Sequence, residues 1–141
     1  MTRSRLALAL VFLMLSANTA GCAPVIDNPQ LAVVEVSAKD TGATIDLELG
    51  QQPVISLDSN RTTGYEWVLT DLDRQILKPA DDAPGYESSP NPAGLMGVGG
   101  TERWSFKPVK AGDTVIRFEY RRPWENGREA IRSAIFNVRV R

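Results

Sequence analysis

Residues 134–140 read Ala-Ile-Phe-Asn-Val-Arg-Val, and this stretch decides the fold. In an extended chain Ala134, Phe136, Val138 and Val140 face one way, and Ile135, Asn137 and Arg139 face the other. A period of two is the mark of a strand with one buried and one wet face. The same alternation sets Ile116, Phe118 and Tyr120 against Arg117 and Glu119. It also sets Ile45, Leu47 and Leu49 against Thr44, Asp46 and Glu48. Further strands are expected at 31–37, 53–58, 65–70 and 101–107, with a short eighth near 75–78. No segment shows a convincing helical period. Seven or eight such strands predict an all-β chain folded as a two-sheet antiparallel β-sandwich. An up-and-down barrel is the alternative. Segments 40–43 and 110–113 each hold a glycine and read as hairpin turns.

Composition excludes much chemistry. Among 141 residues there is no histidine, and Cys22 is the one cysteine. Neither a Ser-His-Asp nor a Cys-His pair can be assembled within the chain, and one thiolate cannot complete a tetrahedral zinc site. Carboxylate chemistry and oxygen-ligand metal sites stay open. With 16 basic and 17 acidic side chains the net charge is −1, which gives no electrostatic basis for binding nucleic acid. The balance points to a binding module without metal or cofactor.

The N-terminus reads as an export signal. Arg3 and Arg5 precede an unbroken apolar run at 6–15. As a helix that run would rise about 15 Å, half of a bilayer's hydrocarbon core. It therefore fits the hydrophobic region of a cleaved signal at 1–21 and not a membrane span. Ala20 and Gly21 ahead of Cys22 resemble the lipobox of bacterial lipoproteins, although Thr19 stands where Leu is usual. That resemblance implies acylation of Cys22 and attachment to a membrane by the N-terminal lipid. With Ala23 and not Asp after Cys22, resemblance to sorted lipoproteins implies the outer membrane where the cell envelope has two. Ordinary cleavage nearby, leaving a free thiol, is the other reading. Residues 22–30 hold two prolines and read as a tether to the domain at 31–141.

Three connections stand out. The first, 59–64, reads Ser-Asn-Arg-Thr-Thr-Gly. Asn60, Thr62 and Thr63 can fold it on itself through side-chain to backbone bonds, and Gly64 can adopt φ > 0 to lead into Tyr65. The second, 79–100, is long for a compact domain and ends in a Gly-rich stretch with Leu95 and Met96 at its tip. Gly97, Gly99 and Gly100 permit close backbone approach, but no Lys-Ser/Thr or helix follows to make a phosphate loop. The third, 121–129, contains Arg122-Pro123-Trp124 and an Asn-Gly turn. Trp124 there is either an exposed anchor for a partner or a lid on its own domain.

In this order, Asn60-Arg61-Thr62-Thr63-Gly64-Tyr65, Gly97-Val98-Gly99-Gly100 and Arg122-Pro123-Trp124 resemble the motifs of the chagasin family, inhibitors of papain-like cysteine peptidases. The resemblance covers roughly 36–140. It implies an immunoglobulin-like sandwich, no enzymatic activity, and a monomer whose papain-like partner is blocked by three loops. Thr62, Thr63 and Gly64 would lie over the peptidase's catalytic Cys. Leu95, Met96 and the following glycines would cover one side of the cleft, and Arg122, Pro123 and Trp124 the other. Arg61 departs from the pattern, where proline is usual. Proline would fix φ and stiffen the loop, so Arg61→Pro is expected to tighten binding. Two other classes remain: an envelope or adhesion module of the same fold with a different partner, and a small carboxylate-based hydrolase.

Overall fold

The computed structural model describes residues 32–125 and 127–141. The signal, the tether, Cys22 and Asn126 lie outside the described residues. Nine strands are present among those described: β1 (Val33–Ser37), β2 (Thr44–Leu47), β3 (Gln52–Ser59), β4 (Glu66–Asp71), β5 (Leu77–Pro79), β6 (Gly85–Ser88), β7 (Gly100–Pro108), β8 (Gly112–Arg121) and β9 (Arg132–Val140). One sheet runs β1-β3-β7, with β5 and β6 both on the far side of β7; the other runs β2-β9-β8-β4.

The alternating residues close the space between the sheets. Ile116, Phe118 and Tyr120 from β8 meet Phe106 of β7 and Phe136 of β9, all buried. The Phe118 ring lies at the centre, 5.1 Å from Trp104, 6.3 Å from Phe106 and 6.4 Å from Phe136 between centroids, in the tilted arrangements aromatic rings prefer.

The sandwich is the expected one, with three differences. Segments 40–43 and 110–113 are not hairpin turns. β1 pairs with β3 and β2 with β9, so 40–43 carries the chain from one sheet to the other. The turn Ala38–Asp40 is held by the Asp40 carboxylate, which accepts from Ser37 N at 2.8 Å and Ser37 Oγ at 2.9 Å. Those bonds, the backbone one foremost, hold the Asp40 carboxyl below the usual carboxylate range. Segment 110–113 likewise crosses between β7 and β8, which lie in different sheets. Second, the β1–β3 and β2–β9 pairings are parallel, as a strand that changes sheet returns alongside a neighbour going the same way. Third, Leu49 is 54% exposed, because β2 ends at Leu47 and Gly50, at φ +99°, turns the chain toward β3.

The register fixes which connections share an end. Ser59 pairs with Gly100, Gly100 with Ser88, Glu66 with Arg121 and Tyr120 with Arg132. Connections 59–65, 89–99 and 122–131 therefore leave the sandwich from the same end. Val33 pairs with Gln52 at the opposite end.

Candidate functional site

The central loop joins β3 to β4 across the two sheets. Its residues Arg61–Thr63 form one turn of 3₁₀-helix. The Asn60 side-chain oxygen accepts from Thr62 N at 3.2 Å and Thr62 Oγ1 at 2.6 Å. Thr63 Oγ1 donates to Asn60 O at 2.6 Å. Gly64, at φ +78°, donates its N–H to Arg61 O at 3.0 Å and closes the turn. Both threonine hydroxyls thus bond within the loop while the residues themselves stay exposed. From below, Asn60 N donates to the Tyr120 hydroxyl at 2.8 Å, and Tyr120 is buried among Tyr65, Trp67 and Arg132.

The other loops bind this centre from either side. On one side Asn60 Nδ2 donates to Gly97 O at 2.9 Å. Gly99 packs against it so closely that a Cβ there would stand 3.0 Å from Ser59 O. Leu95, 66% exposed, and Met96, 99% exposed, project beyond. Asn91 steadies their backbone, donating to Leu95 O at 2.7 Å and accepting from Leu95 N at 2.8 Å. On the other side Arg122 Nε donates to Thr63 O at 3.2 Å, its guanidinium lies 4.6 Å from the centre of the Tyr65 ring, and Nη1 donates to Glu125 at 3.0 Å. Trp124 is 65% exposed, with one edge of its indole against Gly64.

The three sequence motifs therefore form one continuous surface with the central loop in the middle. Individual residues divide into two kinds. Thr62, Thr63, Leu95, Met96, Pro123 and Trp124 are exposed. Asn60, Gly64, Tyr65, Gly97, Gly99 and Arg122 make the bonds and close approaches that hold the loops together. Gly100 is buried at the start of β7 beneath Tyr86. Trp124 leans on the neighbouring loop, where a Cβ on Gly64 would stand 2.6 Å from its ring. Among the described residues no group of three or more His, Cys, Asp or Glu is placed to hold a metal.

Sequence reasoning passed over what lies under the central loop. Glu102, on β7, is fully buried and accepts from Ser59 Oγ at 2.6 Å. Arg61 Nε lies 3.5 Å from the same carboxylate oxygen, and the Arg61 guanidinium sits 4.7 Å from the centre of the Tyr86 ring. Arg61 is thus not the loose residue that its departure from proline suggests. Arg61→Pro would stiffen φ but strand the Glu102 carboxylate, so the expectation that it tightens binding no longer follows.

A family model described as Chagasin family peptidase inhibitor I42 matches residues 46–140. Amoebiasin-2 of Entamoeba histolytica is 30% identical over 110 residues, spanning 78% of this chain and 87% of its own length. Chagasin of Trypanosoma cruzi is 29% identical over 90 residues, 64% of this chain and 82% of that protein. The crystal structure of the cysteine protease inhibitor EhICP2 from Entamoeba histolytica has a TM-score of 0.71 and 29% identity, covering 80% of this chain and 99% of that one.

Proposed function

This chain belongs to the chagasin family of peptidase inhibitors, and on that premise we propose that its three-loop end seals the active-site cleft of papain-like cysteine peptidases. Family membership takes the place of the adhesion-module and hydrolase readings, since the family consists of inhibitors. The observation that carries the proposal is the convergence of the three loops on one cross-linked edge with Trp124 on one flank and Leu95 and Met96 on the other.

The geometry suits an inhibitor that is not itself cleaved. A peptide bond is hydrolysed when it lies extended in the cleft with its carbonyl free to be attacked. Here the apex is a closed 3₁₀ turn in which Arg61 O accepts from Gly64 N and Thr63 O accepts from Arg122. The turn sits over the catalytic thiol and excludes substrate without offering an extended bond. Leu95, Met96 and Trp124 supply the apolar area on either bank. Titration of papain with the purified domain is expected to abolish activity reversibly at one inhibitor monomer per enzyme. Undiminished activity at a large molar excess would overturn the proposal.

We further propose that mature protein is acylated at Cys22 and held on the outer membrane of the cell envelope. The topology supports it: the chain enters β1 beside Gln52, at the end away from the loops, so a tether there leaves the inhibitory end free. Cys22→Ser is expected to move the protein from the membrane pellet to the soluble fraction. Mass spectrometry finding an unmodified mature N-terminus at another residue would defeat the idea.

A further inference from the structure

We infer that Arg61, held by buried Glu102 and the Tyr86 ring, is a positioning residue that pre-forms the central inhibitory loop, the task proline performs at that place in the family motif. The inference rests on the reading that this loop blocks a papain-like cleft.

Arg61 is the first residue of the 3₁₀ turn, and its carbonyl accepts the bond from Gly64 that closes it. Its side chain runs back toward the sandwich. There Nε approaches Glu102 Oε1 at 3.5 Å, and the guanidinium covers Tyr86. Glu102 pairs with Leu57 of β3 on one side and Tyr86 of β6 on the other, so the clamp stands on three hydrogen-bonded strands. The Glu102 side chain is 1% exposed and that of Arg61 40%. Among the described residues Ser59 and Arg61 are the partners of the carboxylate, and its Oε2 has none. A buried charge held by so few groups penalises any motion that withdraws one of them. Swinging the turn away from this conformation would withdraw Arg61.

Gly100 belongs to the same device. A Cβ there would stand 2.8 Å from Cζ and the hydroxyl oxygen of Tyr86 and would collide with Glu87 O. Only glycine lets β6 approach β7 and lets Tyr86 lie where it meets Arg61. Proline at position 61 would restrict the loop through its own ring. Arginine achieves restriction through a tertiary contact, and needs an acid beneath it.

The test measures papain association and dissociation at low and high salt, with thermal melts, for Arg61→Ala and for Arg61→Pro combined with Glu102→Gln. Arg61→Ala is expected to weaken inhibition about fivefold at both salt concentrations, mainly through slower association, because a loop that must order itself docks less often. The double variant removes the stranded charge and restores stiffness, so it is expected within twofold of the parent. Two results would overturn the inference. One is unchanged association for Arg61→Ala. The other is a loss that disappears at high salt, since that would mark Arg61 as a screened contact to the peptidase itself. Should the parent fail to inhibit papain, the functional reading falls, and amide exchange in the free protein judges the clamp alone. Faster exchange at Thr63 and Gly64 in Arg61→Ala upholds it; unchanged exchange overturns it.

Discussion

Replacing Trp124 by alanine is expected to weaken papain inhibition about 30-fold or more, in the range of about 2 kcal/mol typical of an interface hot spot. The melting temperature should move little. Trp124 is 65% exposed, so truncation opens no cavity and removes little surface buried in the free domain. Its cost falls on binding. A large flat ring, already oriented, buries apolar area on docking with few rotors to immobilise. The orientation comes from the neighbouring loop: one edge of the indole lies against Gly64, and Arg122, two residues earlier, is fastened to Thr63 O and Tyr65. Paired inhibition and melting measurements check this. A fall of many degrees in melting temperature with inhibition per folded molecule intact would show that the ring serves the domain and not the partner.

The strands that build the sandwich were legible because each carries an apolar face with a period of two. β8 and β9 alternate almost without exception, and the core aromatics Phe118 and Phe136 sit at the positions that alternation assigns. Which strand neighbours which was not legible. The glycine turns at 40–43 and 110–113 look like hairpins, yet both cross between sheets, because the same turn residues serve either connection. β6 was hidden within 79–100 because Gly-Tyr-Glu-Ser offers no apolar alternation; it exists by pairing with β7.

The site divides in the same way. Its exposed members were readable as motifs, since turns and apolar tips are local features. Its foundation was readable only in outline. Glu102 shares a face with Trp104 and Phe106, so alternation alone marks it as a buried acid, but nothing in the sequence says that its partners are Ser59 and Arg61, some forty residues earlier. Such a pairing is fixed by the register of β3 against β7, a tertiary property.

Gly64→Ala is expected to weaken papain inhibition at least 30-fold, and to do so partly through Trp124. Two costs combine. At φ +78° a side chain is strained, by about 1–2 kcal/mol in the left-handed region. A Cβ there would also stand 2.6 Å from Trp124 Cη2 and 2.9 Å from Cζ2, so the ring must leave its place. If the backbone instead abandons the left-handed conformation, the bond from Gly64 N to Arg61 O opens and the apex of the turn is lost. Either route damages the inhibitory edge, while the core beneath, centred on Phe118, is untouched. A double-mutant cycle separates the two costs. In a Trp124→Ala background there is no ring to displace, so only the strain remains, and the Gly64→Ala penalty should shrink to roughly fivefold, about 1 kcal/mol. Equal penalties in the two backgrounds would mean that Gly64 and Trp124 act independently, and that the approach of the indole to Gly64 plays no part in inhibition.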